Sequence, residues 1–227
     1  MSEQGTLEWH RMRLGKFTGS NIHKLMGKAR NKNDIFSQTA LTYIKEVAAE
    51  RCLNQEVIDD DMMFEEYVNH TQASGRAIAW GQMHEAFARA DYEFTSGNKV
   101  EAVSSIPYEE MPYFASSPDG VVLGEEKGCI EIKCPTLPVF IEYANEIKDN
   151  DTLLVAKPEY YWQCMAHMMC VGTQWCDFIA YHPYAKKQMV VVRITRDENA
   201  VNALKEKLLL AEDEVNKITN KFNENGN

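Results

Sequence analysis

Ser117-Pro118-Asp119-Gly120-Val121-Val122-Leu123 and Cys129-Ile130-Glu131-Ile132-Lys133-Cys134-Pro135, with eleven residues between Asp119 and Glu131, decide how this chain folds. Pro118-Asp119-Gly120 is turn chemistry, since proline presets its own φ and glycine accepts backbone conformations other residues avoid. Val121-Val122-Leu123 then reads as a short strand. Cys129 to Lys133 reads as another, closed by Pro135, which disfavours helix at the residue before it. Side chains alternate faces along a strand, so Ile130 and Ile132 enter the core while Glu131 and Lys133 share the other face, about 7 Å apart. The turn returns Asp119 beside Glu131. Two carboxylates and a lysine are expected to converge at a sheet edge.

That set has a chemical logic. Mg²⁺ takes oxygen ligands and usually only one or two carboxylates. A bound metal turns water into a nucleophile and neutralises phosphate charge, and a lysine beside it can orient that water or stabilise developing charge. Glu85, in Ala77-Ile78-Ala79-Trp80-Gly81-Gln82-Met83-His84-Glu85-Ala86-Phe87, is a candidate third carboxylate. Trp80 and Gly81 imply that this helix packs closely on a neighbour, with Glu85 one turn beyond. Gln163, in Tyr160-Tyr161-Trp162-Gln163-Cys164-Met165-Ala166-His167, is the next candidate, although in so apolar and aromatic a helix it reads first as a satisfied core amide. No pair among His84, His167, His182 and the cysteines has the close spacing of zinc ligands.

Working outward, Thr18-Gly19-Ser20-Asn21 resembles a helix cap before Ile22, Leu25 and Met26, and Ser37 caps a longer helix through Cys52. The acidic run 54–66 reads as a loop or a solvated helix start. A helix is expected from Ser74 to Tyr92 and a strand from Lys99 to Ser105. Helices follow at 136–147 and 158–171, the latter opened by Pro158. Trp175 to Tyr181 and Met189 to Thr195 read as a strand pair across His182-Pro183-Tyr184, and an amphipathic helix runs over about 198–217. The order predicts an α/β fold, a mixed central sheet with helices on both faces, in a single domain over 1–227.

Charge is unevenly spread. Lysine and arginine total 24 against 34 acids, a net charge of −10. Yet from Trp9 to Asn33 there are seven cations and no acid, which leaves −17 for the remainder. A basic segment on an acidic body is either an electrostatic footprint for a polyanion or a solvated helix face. No stretch approaches the roughly 20 apolar residues of a membrane span, and MSEQGTLEWHRMRLG has no apolar signal core. The six cysteines form no C-x-x-C pair. Reduced thiols in a cytoplasmic, non-membrane protein are expected.

Taken in order, Trp9-His10-Arg11-Met12-Arg13-Leu14-Gly15, Thr18-Gly19-Ser20, Ala77-Ile78-Ala79-Trp80-Gly81 with Glu85, Phe94-Thr95-Ser96-Gly97, Ser117-Pro118-Asp119-Gly120 and Glu131-Ile132-Lys133-Cys134-Pro135 resemble the phage lambda exonuclease family, the YqaJ-like viral recombinases of the PD-(D/E)xK nucleases. The resemblance spans about residues 7–195. It implies a restriction-endonuclease-like core and a Mg²⁺-dependent 5′→3′ exonuclease on linear double-stranded DNA, one that releases nucleotides and leaves 3′ single-stranded tails for annealing. By motif, Asp119, Glu131 and the Ile132 carbonyl would bind one Mg²⁺, Glu85 and Asp119 a second, with Mn²⁺ as a substitute. Lys133 would activate or orient water, and Gln163 matches a glutamine kept near the active site. Arg13, Ser20, Arg30 and Ser117 match a pocket for the 5′-phosphate, and Ile78 an apolar residue that separates the strands. The resemblance further implies a homotrimeric ring, a single-strand annealing partner, and a phage or prophage protein in the bacterial cytoplasm. One departure is His167, where broader relatives carry tyrosine in Gln-x-x-x-Tyr.

Two other readings are open. One is a different nuclease on the same fold, either an endonuclease or a CRISPR-associated iron–sulfur nuclease, although the cysteine spacing disfavours a cluster. The other is a catalytically silent module that binds DNA ends. The intact Asp–Glu–Lys set argues against silence, because crowding buried carboxylates is costly without a use.

Overall fold

The alternation read at 129–133 is realised in the computed structural model, which describes residues 4–71 and 75–224. In chain order the helices are Leu7–Arg13 (α1), His23–Met26 (α2), Gln38–Arg51 (α3), Gln55–Asp59 (α4), Asp61–Thr71 (α5), Arg76–Ser96 (α6), Leu137–Glu146 (α7), Asn150–Ala156 (α8), Pro158–Val171 (α9) and Glu198–Glu224 (α10). The strands are Phe17–Thr18 (β1), Lys99–Glu101 (β2), Ile106–Tyr108 (β3), Met111–Ser116 (β4), Gly120–Leu123 (β5), Gly128–Lys133 (β6), Trp175–Tyr181 (β7) and Met189–Thr195 (β8). They divide into two compact units, one of Met1–Gln72, Ser104–Ser117 and Glu198–Asn227, the other of Ala73–Val103 and Pro118–Asp197.

In the first unit, α10 lays Val201, Leu204, Leu208, Ala211 and Val215 on α3, whose Ala40, Tyr43, Ile44, Val47 and Ala48 are buried. These recur at three- and four-residue spacing, which is what makes one helix face apolar. The predicted Ser37 cap is present, its hydroxyl accepting from the Ala40 amide at 3.2 Å. Arg51 fixes the pair with a bidentate bond to Glu212 (2.8 and 2.7 Å) and a third to the Gly15 carbonyl at 2.7 Å. A small sheet in the order β1-β4-β3 completes the unit, β1 parallel to β4. The acidic run is helical, not a loop. Its Asp61 pairs with Arg11 at 2.6 Å, and Arg11 also donates to the Ile58 carbonyl.

The second unit holds a five-stranded mixed sheet, β2-β5-β6-β7-β8, in which only β6 and β7 run parallel. Gly120 is required here by close approach: a Cβ would sit 2.2 Å from Val100 Cγ1. Helix α6 covers one face, where Ala88 and Tyr92 pack on Val122, Ile130, Ile132 and Ile179. Helices α7 and α9 cover the other, with Tyr143 and Tyr160 against Phe178. So helices flank both faces, as the element order predicts. The expected sheet edge is corrected: β6 is the central strand and both of its faces are buried. Of the close packing inferred from Trp80 and Gly81, only the Trp80 part is present: its ring lies 5.8 Å from His182, whereas a Cβ at Gly81 meets nothing within 4 Å. Helix α6 runs from Arg76 to Ser96, and the predicted start at Ser74 lies outside the described residues. The strand expected over 99–105 stops at Glu101, and α10 continues to Glu224.

Candidate active site

The turn before β5 carries the Asp119 amide into the ladder, donating to the Ile130 carbonyl at 3.1 Å. Its side chain turns back to accept the Ile132 amide on Oδ2 at 2.6 Å. The aspartate is thereby locked against β6 at the level of Glu131. Burial pushes the Asp119 carboxyl well above its ordinary value, and the nearby charges of Glu131 and Glu85 push it further, against the opposing effect of Lys133.

Glu131 is fully buried, which is costly for a carboxylate. Two partners offset the cost. Lys133 Nζ forms an ion pair with Oε1, and His167 Nε2 lies 2.6 Å from Oε2. Burial pushes the Glu131 carboxyl up, but Lys133 and His167 outweigh it and hold it below its ordinary value. An ionised carboxylate only accepts, so His167 Nε2–H is the donor. Lys133 is likewise opposed by burial and held above its ordinary value by Glu131 and then Asp119. Its ammonium also lies 4.9 Å from the centre of the Tyr160 ring.

Glu85 enters from α6, where its Oε1 accepts from Arg89 at 2.7 Å. Burial raises its carboxyl despite Arg89, and Glu131 raises it further. Tyr92, two turns later, anchors α6 by donating to the buried Asp177 at 2.7 Å, while Arg193 holds Asp177 bidentately at 2.8 and 2.9 Å. Gln163 is buried on α9, one turn before His167. Sequence reading names five of these groups, Asp119, Glu131, Lys133, Glu85 and Gln163, but leaves His167 without a role. The available signal was its helical spacing from Gln163.

This donor set fits a hard divalent cation. Glu131 Oε1 is sealed from solvent and is met by the Lys133 ammonium. Asp119, Glu131 and Glu85 repel one another in a way that a cation would relieve. Among the described residues no three His, Cys, Asp or Glu side chains form a ready cage. Mg²⁺ does not need one, because it keeps several waters and takes one or two carboxylates.

In the first unit, Arg13 donates to Ser117 Oγ at 3.0 Å and to Ser20 Oγ at 3.3 Å, with its guanidinium 4.1 Å from the Trp9 ring centre. Burial pulls its pKa down to about 10, despite Tyr43 and Glu50. Unlike Arg11 and Arg51, Arg13 forms no ion pair among the described residues. Three of the four residues expected in a phosphate pocket are joined. Arg30 is exposed and stands outside this hydrogen-bonded group. Ile78 is 41 % exposed in the first turn of α6.

No curated protein matches the chain. Among solved structures it is similar to an alkaline exonuclease (LHK-Exo) from Laribacter hongkongensis, at 29% identity and a TM-score of 0.77 over 97% of this chain and 98% of that one. The complex of LHK-Exo with dAMP matches with a TM-score of 0.76, at the same identity and coverage. A phage-related exonuclease from Haemophilus somnus 129PT shares the fold at 17% identity, with a TM-score of 0.67 over 91% of this chain and 96% of that one. The family profile of the YqaJ-like viral recombinase domain matches residues 8–174. That span covers most of the sequence, including the Asp–Glu–Lys cluster and the Arg13 cluster, and the chain belongs to the YqaJ-like viral recombinase family.

Proposed function

We propose that the chain is a divalent-metal-dependent exonuclease that degrades linear double-stranded DNA from 5′ ends, releases mononucleotides and leaves 3′ single-stranded tails for recombination by annealing. The observation that carries this reading is the buried Asp119–Glu131–Lys133 cluster, with Glu131 held ionised by Lys133 and His167. The similarity to an alkaline exonuclease, and that protein's complex with a mononucleotide, support exonucleolytic release.

Asp119, Glu131 and the Ile132 carbonyl would hold one Mg²⁺, and Glu85 with Asp119 a second, with Mn²⁺ able to replace either. The bound metal would supply Lewis acidity, lowering the pKa of water and neutralising the scissile phosphate. The remaining work falls to the chain. Lys133, an ammonium beside Glu131, orients the attacking water by donating to it and stabilises charge on the phosphate. Gln163, one turn from His167, is a second polar group for positioning. Ile78, which is exposed, would wedge against the terminal base pair.

Arg13, steadied by Ser20 and Ser117, receives the 5′-phosphate, with Arg30 contributing from its exposed loop. Arg13→Ala is expected to slow digestion of 5′-phosphorylated duplex by about 10–100-fold, the worth of a charge-assisted hydrogen bond. Duplex with 5′-hydroxyl ends should be little affected. Equal losses on the two substrates, measured as initial rates, would remove the pocket.

The wider setting is part of the same proposal: a ring of three copies, a single-strand annealing protein as partner, and a phage or prophage origin with action in the bacterial cytoplasm. No described helix is long and apolar enough to cross a membrane. Incubation with linear and closed circular duplex of the same sequence tests the exonuclease reading. Mononucleotides from the linear form alone are expected, whereas nicking or linearisation of circles would make the protein an endonuclease.

A further inference from the structure

Strands β6 and β7 run parallel, with Lys133 opposite Ala180. The β7–β8 turn therefore leaves the sheet at the same end as Lys133, one strand away. Neighbouring strands lie about 4.8 Å apart, so the turn begins on the order of 10 Å from the carboxylate cluster. Its sequence, His182-Pro183-Tyr184-Ala185-Lys186-Lys187-Gln188, combines an aromatic residue with two lysines. From Phe178 to Arg196 there are four cations and no acid, in a chain whose net charge is −10.

The turn is held rigid. His182 donates its amide to the Gln188 carbonyl at 2.9 Å, Ala185 to the His182 carbonyl at 3.1 Å, and Gln188 Nε2 to the Pro183 carbonyl at 2.6 Å. The Tyr184 amide donates to His182 Nδ1 at 3.3 Å. Behind it, the His182 ring lies 5.8 Å from the Trp80 ring and 6.2 Å from Phe140, and Tyr184 lies 6.1 Å from Trp80. The Trp80 ring lies 3.9 Å from that of His84, tilted by 32°, and its buried indole N–H has no acceptor among the described residues. In front, Tyr184 is 78 % exposed, and Lys186 and Lys187 are exposed with no ion pair among the described residues.

We propose that this hairpin is a binding site for single-stranded DNA beside the catalytic cluster. The site rests on the nuclease reading above and extends it to the strand that is not hydrolysed. Tyr184 stacks on a base, with the Trp80–His182 rings keeping its ring upright. Lys186 and Lys187 meet successive phosphates. An aromatic platform beside unpaired cations is how single strands are held without sequence preference. In a chain of net charge −10, this acid-free stretch is a favourable track for a polyanion.

The test is fluorescence anisotropy of the full chain in EDTA, where the reaction is stopped. It compares an oligothymidylate of about 20 nucleotides with a base-free phosphodiester strand of the same length. Tyr184→Ala is expected to weaken the oligothymidylate by about 5–10-fold and to leave the base-free strand unchanged, while Tyr184→Phe retains affinity. The Lys186→Ala/Lys187→Ala double variant should weaken both strands and lower the salt slope by about 1.4, or about 0.7 for each phosphate that is no longer neutralised. All three positions are exposed, so the variants should keep the fold, which circular dichroism checks. Unchanged oligothymidylate affinity in Tyr184→Ala or in the double lysine variant overturns the site. Digestion of linear duplex in Mg²⁺ is measured on the same unmodified protein. Absence of digestion there overturns the nuclease reading and leaves the binding comparison to decide the hairpin.

Discussion

Asp119→Asn is expected to abolish DNA cleavage, by about a thousandfold or more, and at the same time to make the metal-free protein more stable. The two effects share one cause. Asp119 is locked beside Glu131 and Glu85, and burial and repulsion raise its carboxyl well above the ordinary value. The charged form is therefore a strain on the folded state, relieved only when a cation is bound or the group is protonated. Asparagine keeps an oxygen for the Ile132 amide and removes the charge.

The pH dependence follows with a definite sign. A folded-state pKa above the unfolded value means stability falls as pH rises through that window, so metal-free protein should gain stability as pH drops through the raised Asp119 value. Asp119→Asn should show a smaller gain, the part that remains coming from the raised Glu85 carboxyl. Glu131 has the opposite sign: its lowered carboxyl contributes stability above its unfolded pKa, and this is lost as pH falls through the folded value. Lys133→Ala should also abolish cleavage but destabilise, on the order of 3 kcal/mol, because it strips a counter-charge from the buried Glu131. Thermal denaturation in EDTA, run beside a nuclease assay, separates the two inactive variants by the direction of their shift. Full activity in either purified variant would sink the catalytic assignment.

His167→Ala is the second large effect. The Nε2–H bond of 2.6 Å to Glu131 Oε2 is made where neither group touches water. A hydrogen bond to a buried charge is worth about 1.5–3 kcal/mol, and each kcal/mol moves the midpoint of a chain this size by about 2–4 °C. Function should suffer separately. With Oε2 held by His167, the carboxylate presents Oε1 in one orientation, and groups that orient a ligating carboxylate carry about 10–100-fold in metal affinity. The glutamine variant places its amide nitrogen near the position of Nε2, whereas asparagine reaches only as far as Nδ1. His167→Gln should therefore recover much of the Mn²⁺ affinity, read by electron paramagnetic resonance, and His167→Asn should not. Equal metal affinity in the alanine variant and the unmodified protein would reduce His167 to a packing residue.

What was legible in the sequence was local. Asp119, Glu131 and Lys133 follow from a turn and a period of two, both of which operate within fifteen residues. The Ser37 cap and the Pro158 start are likewise written in a few neighbouring side chains. Strand order is not local, so β6 read as an edge although it is the centre of five strands. The partner of His167 lies 36 residues away and is fixed only when α9 docks on β6. Helix α1 buries no residue completely and shows no apolar stripe, which left it unread. Strands β1, β3 and β4 were missed because they are short or interrupted by Pro107 and Pro112. The acidic run reads as a loop or a solvated helix start because its charges dominate; it is helical, with Phe64 and Val68 on the inner side of α5 buried and Arg11 neutralising Asp61.

The central claim, a metal-dependent exonuclease working from 5′ ends, is tested most directly on a linear duplex that carries a 5′-phosphate on one strand only. Each strand bears a distinguishable label, and digestion is followed in Mg²⁺ and in EDTA. The phosphorylated strand should disappear from its 5′ end as mononucleotides in Mg²⁺ alone, with its complement left single-stranded. Loss from 3′ ends, internal cuts, or digestion that persists in EDTA would contradict the account.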